Sequence, residues 1–170
     1  RTHADLLVID NVKDLVNKRI SFIRNRQQMN NPRDLRDGAY MVYDCEADSI
    51  YPNNTPNCNP VDRDEGAERV GMGVLLAKQY LLSDKKDNDL KSSLLRYAKF
   101  LRTRLQTPEY VTYSSVDQKN RNRAYNYVWI AEFYFYMYRA TGNRQFVRDG
   151  YETLRSMFRQ FGHGFYGIGY

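Results

Sequence analysis

The stretch Tyr125-Asn-Tyr-Val-Trp129-Ile-Ala-Glu-Phe-Tyr-Phe-Tyr-Met-Tyr138 is helix-length and apolar almost all round, and Thr141-Gly142-Asn143 breaks it. A helix that is apolar on every side is buried on every side. Beyond the break, Gln145–Phe161 carries Phe146, Val147, Tyr151, Leu154, Met157, Phe158 and Phe161 at helical spacing, and Arg148, Glu152, Arg155 and Arg159 face the other way. Gly142 suits the end of the first helix and Asn143 the cap of the second. A buried helix, a tight turn and a half-buried helix make one α-hairpin of a layered, all-α assembly. A Gly-rich tail, Gly162–Tyr170, follows.

Working back from this hairpin, three more helices are legible. The first covers about Ala4–Arg24, with Val8, Val12, Leu15, Val16, Ile20 and Ile23 on one stripe and Asp10, Asn11, Lys13, Asp14, Asn17 and Lys18 opposite. The second covers about Arg63–Leu82, with Asp62 as cap and Asp64 and Glu65 near its positive end. Its body, Val70-Gly-Met-Gly-Val-Leu-Leu-Ala77, is apolar, and its glycines point to close approach of a neighbour. The third covers about Leu90–Leu105, with Leu90, Leu94, Tyr97, Ala98, Leu101 and Leu105 facing inward. Tyr110–Ser115 and Ala39–Tyr43 are short extended candidates.

The order is therefore outer, inner, outer, inner, outer. Inner-to-outer links are short, at 83–89 and 141–144, and outer-to-inner links are long, at 25–62 and 106–122. Antiparallel helices joined in this way gather every long loop at one end, above the N-termini of the inner helices. Loops of that length are usually functional. The whole chain, 1–170, reads as a single α-hairpin domain with 25–62 as its long rim loop.

Composition narrows the function classes. Lys and Arg number 26 against 20 Asp and Glu, a net +6, yet the basic residues are scattered and no nucleic-acid motif is present. Residues 125–138, interrupted by Asn126 and Glu132, are too short to span a membrane. Fifteen Tyr are available for packing at a cleft rim or stacking on sugars. Cys45 and Cys58 lie in one loop without zinc-site spacing. Paired, they would add roughly 3 kcal/mol and place the protein in a secreted or periplasmic setting; two free thiols are the alternative. Asn53-Asn54-Thr55 matches a glycosylation sequon. No cofactor is expected. Calcium is the one candidate, at Asp44, Glu46 and Asp48 with Asn53 and Asn54, although no EF-hand pattern is present. Arg1-Thr2-His3 reads as a processing boundary.

The segment Trp129-Ile-Ala-Glu-Phe-Tyr-Phe-Tyr-Met-Tyr-Arg-Ala-Thr-Gly-Asn143, with the helix that follows it, resembles a repeat of the six-hairpin glycosidase superfamily, the (α/α)6 toroids. The resemblance is one of repeat style over about Asp62–Phe161. It implies an incomplete toroid of about five helices, a piece of a larger catalytic domain, and a carbohydrate substrate. It also implies an exposed apolar flank, through which the rest of the parent domain or a second copy would pack.

Three groups of residues can carry chemistry at the rim. Asp64, Glu65 and Glu68 start an inner helix, and glycoside hydrolysis needs two carboxyl groups, one protonated and one ionised. Crowding of carboxylates supplies the raised pKa of the acid. Helix capping with an Arg69 salt bridge accounts for the same acids. Tyr113, Asp117, Asn120, Arg121, Asn122 and Arg123 lie on the second long loop and Tyr127 just below it; with Arg69 they suit substrate binding, Tyr113 by stacking and the arginines by bidentate contact to a uronate. His163 falls in the next rim segment. Trp129, two turns into its helix, reads as core. The leading expectation is a glycoside hydrolase. The alternatives are a polysaccharide lyase on a similar toroid, with Tyr113 or His163 as base and Arg121 against the uronate, and a non-catalytic helical interaction domain.

Overall fold

The structure, a computed structural model, describes residues 3, 8–9, 11–50, 65–116, 122–162 and 164. These residues form five α-helices: α1 Val12–Phe22, α2 Val70–Leu82, α3 Asn88–Phe100, α4 Ala124–Thr141 and α5 Arg144–Phe161. A short antiparallel hairpin, β1 Tyr43–Asp44 and β2 Ser49–Ile50, belongs to the first long link. The fold is all-α, as the hydrophobic periodicity implies. The apolar helix α4 packs on α2 at one side and on α5 at another, and α2 packs on α3.

Local chemistry sets the helix ends. Asn11 caps α1 by accepting the Lys13 N–H at 2.9 Å, Asp87 caps α3 through the Leu90 N–H at 2.8 Å, and Asn143 caps α5 through the Gln145 N–H at 2.9 Å. Gly142 closes α4 with φ of 72°, the left-handed conformation that glycine adopts without a Cβ penalty. Helix α2 has no such cap among the described residues. It begins as a single 3-10 turn, Ala67–Arg69, and the expected cap Asp62 lies outside the described residues.

Besides α2, which starts at Val70 rather than near Arg63, α1 and α5 depart from the expected boundaries or faces. Helix α1 begins at Val12 rather than near Ala4, and Val8 and Val12 are 94% and 67% exposed. Only its C-terminal half reaches the core, through Ile20 and then Ile23. In α5, Phe146 and Met157 are buried, but Val147, Tyr151 and Phe158 are exposed. The buried stripe runs instead through Asp149, Gly150, Thr153 and Ser156. The reason is steric: Phe135 of α4 occupies the space above Gly150, where a Cβ would stand 2.7 Å from its ring. Small residues face the bulky wall, and the larger apolar ones are displaced to the flank. With Val128 and Phe135 of α4, also exposed, they form an apolar surface along the hairpin.

Gly73 of α2 has the corresponding role at the centre of the core. A Cβ there would lie 2.6 Å from the Tyr97 ring of α3 and 2.9 Å from the Phe133 ring of α4. Those two rings meet edge-on, with centroids 5.2 Å apart, and Tyr40 of the first long link adds a third at 4.4 Å from Tyr97. Gly71, two positions earlier, faces open space.

Two of the outer helices, α1 and α3, end alike. Helix α1 runs into a π-turn, Ile23–Gln27, and α3 into a π-turn, Leu101–Leu105. The sequences there match in register: Phe22-Ile-Arg-Asn-Arg-Gln-Gln28 and Phe100-Leu-Arg-Thr-Arg-Leu-Gln106. Each final glutamine is buried, forms a β-bridge (Gln28 with Tyr40, Gln106 with Thr112), and clamps the next outer helix. Gln28 donates to the Ser93 carbonyl at 2.9 Å and accepts from the Ser93 hydroxyl at 2.8 Å. Gln106 donates to the Thr153 hydroxyl at 2.9 Å and accepts from the Tyr134 phenol at 2.9 Å.

Gly73→Ala is expected to destabilise the fold by about 1–3 kcal/mol through overpacking, whereas Gly71→Ala stabilises it by up to ~1 kcal/mol through helix propensity. Urea denaturation of both variants checks this, and equal midpoints would refute the packing role of Gly73. The buried phenols give a second expectation. Burial raises the Tyr97 and Tyr134 pKa well above the ordinary tyrosine value. Their favourable contribution is thus complete below the unfolded value of about 10 and is lost as pH climbs beyond it. Unfolding free energy measured against pH should fall on that alkaline side.

Candidate active-site rim

The two long links meet above the starts of α2 and α4. The Ala67 N–H donates to the Ser114 carbonyl at 2.9 Å, and the Val116 N–H donates to a Glu65 carboxylate oxygen at 3.0 Å. Gly66 permits this crossing, since a Cβ on it would lie 1.8 Å from the Ser114 carbonyl oxygen. Tyr113 bridges to Asn122, which carries the second link into α4. The outer wall of this link is held by a turn at Tyr110, whose φ of 64° is rare for a side chain of that size. Its phenol donates to the buried Asp149 carboxylate at 2.8 Å, and the Arg102 guanidinium covers its ring at 3.9 Å.

The candidate acids occupy different environments. Glu65 is fully buried, tied to the backbone of the second link at Val116. Glu68 is about a quarter exposed and forms a 3.1 Å ion pair with Arg123 at the entry to α4. Asp64 lies outside the described residues. The salt bridge expected between these acids and Arg69 is replaced by one to Arg123. Arg69 has its Nε buried with no hydrogen-bond partner among the described residues, and its charge is felt by the buried Tyr97 phenol.

Of the expected binding residues, Tyr127 is buried. Its phenol donates to Asn122 Oδ1 at 2.5 Å and accepts from Gln160 Nε2 at 2.9 Å, and burial pushes its pKa up. It braces the end of the second link against α5. Tyr113 is half-buried at the same crossing. Arg121 and His163 lie outside the described residues. Cys45 is exposed with a free thiol, and its expected partner Cys58 also lies outside them.

Asp44 and Asp48 both support the β1–β2 turn. Asp44 accepts the Glu46 and Ala47 N–H groups at 2.9 and 3.1 Å, and Asp48 accepts from the Tyr43 phenol at 2.7 Å and pairs with Arg26 at 2.8 Å. Asn53 and Asn54 lie outside the described residues. Among the described residues no group of three or more His, Cys, Asp or Glu is placed to hold a metal ion, and no helix is long and apolar enough to cross a membrane.

Arg123 is one of the rim residues that the sequence singles out, whereas Tyr125 carries no sequence signal of a binding role by itself. The Arg123 guanidinium donates to the Tyr125 phenol as well as to Glu68, and lies 5.4 Å from the Tyr125 ring centroid. Tyr125 and Trp129, four residues apart on α4, bring their rings to 4.9 Å. The i, i+4 spacing of two aromatics beside an arginine was the available signal.

No protein-family model matches the chain, and no curated protein does. A solved structure does match: a chain described as Polysaccharide Lyase BACCELL_00875, with a TM-score of 0.92 and 74% sequence identity. This chain is similar to a stretch of a polysaccharide lyase. The match covers 98% of this chain and 25% of that one, so the chain spans about a quarter of the length of the lyase it matches.

Gly66→Ala is expected to cost about 3 kcal/mol, because the clash is with backbone that has no room to yield. Thermal unfolding compared with Gly71→Ala, where a Cβ meets nothing within 4 Å, separates this crossing from a general intolerance of glycine replacement. A small loss at Gly66 would show that the links meet differently.

Proposed function

We propose that this chain is part of a carbohydrate-active catalytic domain that cleaves an acidic polysaccharide by β-elimination. The observation that carries the proposal is the 74% identity over 98% of the chain to a polysaccharide lyase. The rim supports it. Two long links cross above the inner helices, and the best-defined cluster there is an arginine with aromatic neighbours, Arg123 with Tyr125 and Trp129. A hydrolase needs two carboxyl groups facing the scissile bond, whereas Glu65 is buried against Val116 and Glu68 is paired with Arg123.

Elimination next to a uronate carboxylate has a clear balance. A base removes the proton from the carbon bearing the carboxylate. The electron pair of that C–H bond becomes the new carbon–carbon double bond, and the adjacent C–O glycosidic bond breaks. An acid then returns a proton to the leaving oxygen. A cation against the carboxylate lowers the cost of the charge that develops, and a tyrosine or histidine near its protonation midpoint serves as base or acid. In this reading Tyr113 and His163 are the proton-transfer candidates, and Arg121 and Arg123 are the cations. The apolar flank of α4 and α5 is covered by further helices of the longer polypeptide. Action on a polymer suits a secreted or periplasmic enzyme.

The test is product chemistry, measured on the longer polypeptide that contains this chain. Elimination produces an unsaturated uronate that absorbs in the ultraviolet, one per bond broken. Hydrolysis produces equal numbers of reducing ends without that absorbance. New reducing ends with no ultraviolet product would restore the glycoside hydrolase reading, with Asp64, Glu65 and Glu68 as its acids. No cleavage of any acidic or neutral polysaccharide would favour the interaction domain.

A further inference from the structure

We propose that Trp129, Tyr125 and Arg123 form a binding subsite for an acidic sugar residue, with Arg123 selecting the carboxylate and the two rings carrying the sugar. The inference rests on the polysaccharide reading above and adds to it a location and a selectivity.

Arg123 immediately precedes α4, and Tyr125 and Trp129 lie on its first two turns, on the side turned away from α5. Trp129 and Tyr125 are both half-buried. Part of each ring is packed, Trp129 against the core, and part remains accessible. Their ring planes are inclined by 49° with centroids 4.9 Å apart, so the pair forms an angled ledge. Aromatic side chains combine a large apolar face with low conformational entropy, which suits the C–H face of a sugar ring.

Charge makes the ledge directional. Arg123 stands at its N-terminal end, about a quarter exposed, and is held in place by the Glu68 carboxylate and the Tyr125 phenol. A guanidinium fixed by such partners pays little ordering cost when a further anion approaches. Glu132 lies exposed on the same side of α4, one turn beyond Trp129. A uronate on the ledge therefore directs its carboxylate toward Arg123 and its neutral hydroxyls toward Glu132. In this arrangement Glu68 is a positioning residue for Arg123, not an acid catalyst.

Trp129 is the chain's single tryptophan, so its fluorescence reports on the ledge directly. The experiment titrates the longer polypeptide that contains this chain, beside its Trp129→Phe variant to isolate the Trp129 emission, with short oligosaccharides of galacturonic or glucuronic acid and with their carboxyl-reduced neutral counterparts. Trp129 emission and calorimetric heat are followed together. The expected result is a shift in emission that saturates with the heat, and an affinity for the acidic ligands at least about tenfold above the neutral ones, the scale of one hydrogen bond to a charged group. Arg123→Gln should remove that tenfold preference and leave neutral binding unchanged. Glu68→Gln should weaken acidic binding less, with circular dichroism showing both variants folded. Calorimetric binding without an emission change would overturn the ledge, place the ligand elsewhere, and leave the carbohydrate reading intact. Equal affinity for acidic and neutral ligands would overturn the role of Arg123. Absence of any binding would overturn the ledge, whereas the elimination reading is decided separately by its product.

Discussion

The absence of a side chain at Gly73 is the constraint on which the packing depends. Three helices and one loop converge there: α2 supplies the gap, Tyr97 of α3 and Phe133 of α4 fill it from two directions, and Tyr40 of the first long link closes over Tyr97. Close packing makes such a junction stiff, because ring positions are set by contact rather than by soft attraction. The spacing between α2 and α4 follows from it. So does the distance between their N-terminal ends, where Glu68 meets Arg123. The rim is thus held at the separation that the core dictates.

A second layer of order comes from hydrogen bonds that pass between outer helices. Gln28 and Gln106 leave their π-turns in the same way; Gln28 satisfies its buried amide on the next outer helix through Ser93, and Gln106 on the next outer helix through Thr153 and on inner helix α4 through Tyr134. A buried amide is expensive unless its donors and acceptors are met, so each glutamine orients the two elements it joins. The second long link is anchored at its root and again at the entry to α2, where Ser114 and Val116 bind the Glu65–Ala67 segment. A carbohydrate-binding surface placed on such loops has rigid support beneath it. The proposed ledge of Trp129, Tyr125 and Arg123 goes further, since two of its members sit on α4 itself.

Periodicity made α3 legible, whereas α4, expected to be buried on every side, is covered only where α2 and α5 pack on it and leaves Val128, Phe135 and Tyr138 exposed. Leu90, Leu94, Tyr97, Ala98, Leu101 and Leu105 are all buried as their spacing implies, because a strong stripe and a real cap at Asp87 agree. It failed on α5 for a specific reason. The apolar arc of that helix is wider than its contact, and spacing cannot say which part of a wide arc meets a neighbour. Phe135 decided it by demanding Gly150, and Tyr151 and Phe158 were left outside. On α1 the stripe continued through Val8 and Val12 into sequence where the helix does not extend.

The sequence by itself determined the helical class, the order of apolar and half-apolar helices, the short and long links between them, and a cluster of acids, tyrosines and arginines near one end. Those follow from local propensity and from the period of the hydrophobic pattern, which any single chain displays. Only the tertiary structure decided partners. It tied Glu65 to Val116, joined Glu68 to Arg123 instead of Arg69, enclosed Tyr127 between Asn122 and Gln160, and left Trp129 half-open beside Tyr125. Each of these pairings except that of Trp129 with Tyr125 joins residues that spacing alone could not bring together. They exist because the packing around Gly73 sets where the inner helices begin, and a hydrogen bond or an ion pair forms only between groups that the fold has already brought within reach.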